Sequence, residues 1–244
     1  MKYLVFALVF LVFVFAVIEI STLGVRIHRG RRIADESVPY AVDRPGASRS
    51  LLIVGDSTAV GTGADRPEDS IAGRIADEFD DVSVINLAQN GAMLQDVHEQ
   101  LRGTGKRSFD VVLIQAGAND ILYGTPLDRI YSSVETLLDA ARKRGPHVVF
   151  LSNGNIGLAP AFFPPLSWVY TWRARKVRSL FMDAAAERGV QYVDLFRERS
   201  ADPFVADPER FYAPDFLHPG SEGYRYWYQE IKVQSSLVSA LGSP

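Results

Sequence analysis

The chain has 244 residues, 47% of them apolar and 23% charged, which is enough for one large core or two small ones in an ordinary globular protein. Its formal net charge of -3 supplies no basic field for nucleic acid. The absence of cysteine excludes disulfide scaffolds, thiolate metal sites and cysteine nucleophiles.

The first element is an apolar run from Tyr3 to Ile18, continued past Glu19 by Ile20 through Val25. With that continuation the run reaches the roughly 20 residues a helix needs to span a bilayer. The expectation is a single N-terminal transmembrane helix over residues 1–25, retained as an anchor rather than cleaved, because only Lys2 precedes it. Arg26, Arg29, Arg31 and Arg32 follow, and the positive-inside bias places a domain after them on the cytoplasmic side, an inference from few charges that leaves the side open. Residues 26–50 read as a basic flank and a linker, with Pro39, Pro45 and Gly46 breaking any apolar period.

From Leu51 short apolar runs alternate with helical patterns. Strands are predicted at Leu51 to Val54, Val82 to Leu87, Val111 to Gln115, Val148 to Leu151 and Tyr192 to Phe196. Helices are predicted at Ile71 to Phe79, Leu94 to Leu101, Leu127 to Arg144, Val169 to Arg188 and Ser221 to Leu241. Strands alternating with helices imply a parallel sheet covered on both faces, so residues 51–244 form a three-layer α/β/α, flavodoxin-like domain with a five-stranded parallel sheet. Sites in such a domain assemble beyond the carboxyl ends of the strands.

The segments after the first three strands are Gly55-Asp56-Ser57-Thr58, Ala88-Gln89-Asn90-Gly91-Ala92 and Ala116-Gly117-Ala118-Asn119-Asp120, all small, polar and glycine-containing. Three such loops at one sheet edge describe a site. Ser57 can act as a nucleophile only if a base takes its proton, and an imidazole held by a carboxylate does so best. Of the four histidines, His28 lies in the basic flank, His98 in a surface helix and His147 at the start of a strand, which leaves His218, three residues after Asp215. Asp56 and Asp120 read as hydrogen-bonding their own loops.

These blocks resemble the SGNH, or GDSL-type, serine hydrolases. Gly55-Asp56-Ser57, Gly91, Gly117-Ala118-Asn119-Asp120 and Asp215-Phe216-Leu217-His218-Pro219 occur in that family's order across the domain. The resemblance implies Ser57 as nucleophile, His218 as base, Asp215 as its orienting carboxylate, and an oxyanion hole from the backbone N–H of Ser57, the backbone N–H of Gly91 and the side-chain amide of Asn119. Thr58-Ala59 departs from the bulkier apolar residue many members carry there.

The expected activity is a membrane-anchored esterase that forms an acyl-enzyme on Ser57 and takes small-molecule or lipid-like acyl esters. The alternatives are an O-acyltransferase using the same triad and a silent binding protein on the same scaffold. The insertion Ile156 to Tyr170 reads as an acyl-binding wall or lid, as a packed loop whose aromatics complete the core, or as a contact of Phe162, Phe163 and Trp168 with the bilayer interface. No cofactor is implied: there is no Gly-Lys-Ser/Thr, Gly61-Thr62-Gly63 lacks the third glycine of a dinucleotide loop, and no helix carries metal ligands at paired spacing.

Overall fold

The computed structural model describes residues 2–242. Its centre is a five-stranded, wholly parallel sheet in the order β2-β1-β3-β4-β5, built from β1 (Arg49–Gly55), β2 (Val82–Asn86), β3 (Val111–Gln115), β4 (His147–Leu151) and β5 (Gln191–Val193). The helices are α1 (Lys2–Glu36), α2 (Ser57–Val60), α3 (Ile71–Glu78), α4 (Leu94–Gly103), α5 (Ala118–Leu122), α6 (Leu127–Arg142), α7 (Leu166–Glu187), α8 (Pro203–Ala206), α9 (Pro208–Phe211), α10 (Ser221–Gln234) and α11 (Leu237–Leu241).

The continuous apolar runs follow from a sheet covered on both faces. Side chains alternate across a strand. Leu51 and Ile53 of β1 join Val111 and Leu113 of β3 in a core with Ile75 of α3, Tyr224 and Ile231 of α10, and Leu237 of α11. Leu52, Val54, Val112 and Ile114 enter the opposite core with Val97 of α4, Val134 of α6 and Phe181 of α7. Helix α6 shows the matching period: Ile130, Val134, Leu137, Leu138 and Ala141 form its buried stripe.

Most predicted ends lie within a residue or two of the observed ones, and two elements terminate further away. The predicted last strand stops at Val193 because Asp194 leaves the ladder, its backbone N–H donating to Gln234 Oε1 (2.9 Å) and its Oδ1 accepting from Phe196 N (3.1 Å). The single helix predicted from Ser221 to Leu241 is broken at Ser235 and Ser236, two residues that compete with helical hydrogen bonding through their own side chains. Gln191 of β5 holds the break by accepting from Ser236 N and donating to Ser236 Oγ, both at 2.8 Å.

The N-terminal expectation is corrected. Among the described residues no helix is long and apolar enough to cross a membrane, so neither the transmembrane anchor nor the single-pass membrane localisation that rested on it is supported. The run from Tyr3 to Ile18 is by itself shorter than the roughly 20 residues of a span, and Glu19, Ser21 and Thr22 interrupt the sequence that was to complete it. Helix α1 instead continues through the basic flank to Glu36.

Residues 37–48 are stitched to the domain. Val42 pairs with Val84 in an antiparallel bridge, with N···O distances of 3.0 and 2.8 Å, and so covers part of the edge strand β2. Arg44 donates to the carbonyls of Ala76, Phe79 and Val82, fastening the same segment to the end of α3.

Candidate active site

The strand order reverses between β1 and β3, and a crevice opens there beyond their carboxyl ends. Gly55 closes β1 against β3 so tightly that a Cβ would lie 2.0 Å from Gln115 O, a contact only glycine avoids. The buried side chain of Gln100 from α4 grips the same residue, accepting from Gly55 N (2.8 Å) and donating to Gly55 O (3.0 Å). Asp56 then caps α2, its Oδ1 accepting from Thr58 N (2.9 Å) and Thr58 Oγ1 (2.7 Å). Ser57 is therefore delivered at the first position of a helical turn, on a backbone locked from both sides.

His218 reaches Ser57 from the other end of the chain. Its Nε2 lies 3.0 Å from Ser57 Oγ and its Nδ1 lies 2.6 Å from Asp215 Oδ2. With the Nδ1 proton directed at the carboxylate, Nε2 is free to accept from the serine hydroxyl. Asp215 is 1% exposed, and its Oδ1 accepts from the backbone N–H groups of Leu217 and His218, both at 3.0 Å. Burial pushes the Asp215 carboxyl up, but the His218 side chain and these two N–H groups outweigh it and hold the carboxyl below its ordinary value.

Asn119, in the first turn of α5, donates from Nδ2 to Ala92 O (3.0 Å) and lines the same pocket as Ser57 and His218. One of its two amide hydrogens is engaged in that bond, which leaves the second for a ligand. Gly91 has a positive φ of 79° and sits exposed beside Ala92, on the rim rather than among the pocket-lining residues. The structure thus brings Ser57, His218, Asp215 and Asn119 together and sets Gly91 at their edge.

Both flanking aspartates hydrogen-bond within their own loops. Asp56 stays within its own loop through Thr58, and burial raises its carboxyl to about 6 despite the Thr58 hydrogen bonds and the His218 charge. Asp120 bonds the Thr125 side chain in its own loop and adds a longer tie: its Oδ2 accepts from Leu94 N (3.0 Å) and joins the loop after β3 to the start of α4. Burial raises the Asp120 carboxyl as well.

A pocket opens to solvent beside Ser57 and His218. Ile156 and Ala159 of the predicted insertion line it, and Phe162, Phe163 and Trp168 do not. Phe162 packs edge-on against Tyr170, and Trp168 is 68% exposed. The aromatic wall comes from Phe204, Tyr212 and Trp227, which the sequence reading missed. The only signal was aromatic density on either side of the Asp215 to His218 segment, Phe204, Phe211 and Tyr212 before it and Tyr224, Tyr226 and Trp227 after it.

A family model for the GDSL-like Lipase/Acylhydrolase family matches residues 53–226. No curated protein matches the chain. Among solved structures, it is similar to a member of the lipolytic protein G-D-S-L family from Veillonella parvula, at 20% identity and a TM-score of 0.59, with 75% of this chain and 96% of that one covered. It is similar to a psychrotrophic esterase, EstA, from Pseudoalteromonas, inhibited by monoethylphosphonate, at 18% identity and a TM-score of 0.56, covering 77% and 96%. An extracellular lipase from Streptomyces rimosus aligns at 19% identity and a TM-score of 0.59, covering 77% of this chain and 100% of the other. At such identities these likenesses establish the fold, whereas the family match spans the strand-end loops and the pocket walls alike. The chain belongs to the GDSL-like lipase/acylhydrolase family and is a hydrolase of ester bonds.

Proposed function

We propose that the protein is a serine esterase that cleaves carboxylic esters through an acyl-enzyme on Ser57. The observation that carries this reading is the continuous chain from Ser57 Oγ to His218 Nε2 (3.0 Å) and from His218 Nδ1 to Asp215 Oδ2 (2.6 Å). As Ser57 Oγ attacks the ester carbonyl, His218 Nε2 takes the hydroxyl proton and Asp215 stabilises the imidazolium. The carbonyl oxygen becomes an anion, and the N–H groups of Ser57 and Gly91 with the Asn119 amide are its donors. Collapse breaks the ester C–O bond, and His218 returns its proton to the departing alkoxide. Water, deprotonated by the same imidazole, then releases the acid and regenerates Ser57.

Phe204, Trp227, Ile156 and Leu195 give the pocket an apolar lining suited to an acyl group. Hydrolysis of a p-nitrophenyl ester series from acetate to palmitate tests the reading. Activity that disappears in both Ser57→Ala and His218→Ala supports it, and undiminished activity in Ser57→Ala overturns it.

A further inference from the structure

The C-terminal part of α1, from Arg26 to Glu36, touches three of the loops that build the site. Arg26 donates to Pro160 O in the insertion after β4. Its guanidinium also lies over the rings of Phe163 (5.2 Å) and Phe216 (5.4 Å), so it bridges the insertion and the loop that carries Asp215 and His218. One turn further on, Gly30 faces Asp215: a Cβ there would lie 3.1 Å from Asp215 Oδ2, the oxygen that His218 Nδ1 contacts. Ala34 O then accepts from Asn90 Nδ2 (2.8 Å), next to Gly91.

Phe216 makes this contact consequential. It lies between Asp215 and His218 with φ at 57°, a left-handed conformation uncommon for any residue with a side chain and held only where surroundings enforce it. Its carbonyl accepts from Ala161 N (3.2 Å), and Arg26 covers its ring. The backbone that sets the spacing of Asp215 and His218 is therefore secured partly from outside the sheet domain.

We propose that residues 26–36 of α1 clamp the active-site loops, with Arg26 and Gly30 as positioning residues that hold the Asp215–His218 pair in register with Ser57 and keep water from Asp215 Oδ2. The inference rests on the Ser57 reading above. Its action is on geometry, and displacing a base by about 1 Å is enough to cost on the order of a hundredfold in rate.

Steady-state hydrolysis of p-nitrophenyl acetate by the full chain tests it, with Arg26→Ala, Arg26→Lys, Gly30→Leu, Arg32→Ala and Ser57→Ala compared side by side. Arg26→Ala and Gly30→Leu are expected to lower kcat about tenfold to a hundredfold with KM within about twofold. Arg26→Lys keeps a cation over the rings and recovers kcat to within about threefold of wild type. Arg32, whose exposed guanidinium pairs with Glu36, is a control on the same helix, and Arg32→Ala retains full kcat. Should Gly30→Leu misfold, Arg26→Ala still decides, because it removes atoms without filling space. Wild-type kcat in Arg26→Ala overturns the clamp, as does a loss that Arg32→Ala reproduces and Arg26→Lys leaves unrestored. If Ser57→Ala is silent while Arg26→Ala is fully active, the clamp alone fails; if Ser57→Ala remains active, the reading beneath it fails first.

Discussion

Asn119 and Asp56 separate two kinds of polar residue that a sequence motif places side by side with a nucleophile. Asn119 spends one amide hydrogen on Ala92 O and has another for the substrate, so its loss should act on rate. Asn119→Ala is expected to lower kcat for p-nitrophenyl acetate about 10²–10³-fold, the usual cost of one oxyanion donor, with a much smaller change in KM. Asp56 acts on stability. Its side chain is fully buried, and that burial raises its carboxyl from 3.8 to about 6. A raised folded-state value means the native protein holds a proton that the unfolded chain has released. Ionisation of Asp56 therefore costs stability as pH climbs from about 4 to about 6 and adds no further cost above that. The Asp215 contribution has the opposite sign, because its lowered value gives stability that is lost as pH falls below the ordinary carboxylate range. Urea unfolding at pH 4, 5, 6 and 7 should show wild type losing on the order of 3 kcal/mol relative to Asp56→Asn across this interval. Parallel curves would show that Asp56 ionises as it does in the unfolded chain.

At the scale of elements, the strands were legible wherever both faces are buried. Val111 to Gln115 reads as a strand and is one, since each of its residues is buried and no polar position interrupts the run. Boundaries were lost where a side chain, rather than the period, ends an element, as Asp194 does for β5 and Ser235 for α10. Gln100 was invisible for a related reason: a glutamine on a helix reads as a solvent-facing residue, yet it is buried and hydrogen-bonds both backbone groups of Gly55. Gln100→Ala strands the buried N–H of Gly55, two residues before Ser57, while the Gly55 C=O keeps the Gln89 N–H (3.1 Å). A destabilisation of roughly 1–3 kcal/mol is the expected range, measured as a shift of the urea midpoint at constant m. A midpoint within error of wild type would mean that water or a shifted backbone satisfies Gly55.

For the whole molecule, the ordered blocks made the site readable because topology brings the carboxyl ends of β1 and β3 together whatever lies between them. The pocket walls had no such guide. Phe204, Tyr212 and Trp227 converge on Ser57 from segments that share no period or motif, while the proline-stiffened insertion contributes Ile156 and Ala159 instead of its aromatics. The N-terminal helix failed in the other direction: local apolar composition pointed to a membrane span, whereas Arg26, Gly30 and Ala34 lie against the domain through contacts that composition does not encode. The mechanism proposed above puts the acyl group on Ser57 Oγ. Intact-mass and peptide mapping after exposure to a fluorophosphonate ester tests it most directly, with wild type, Ser57→Ala and His218→Ala compared. A single adduct on Ser57, absent in Ser57→Ala and formed far more slowly in His218→Ala, is the predicted result. An adduct on another residue, or none under conditions where the wild-type protein turns over esters, would contradict it.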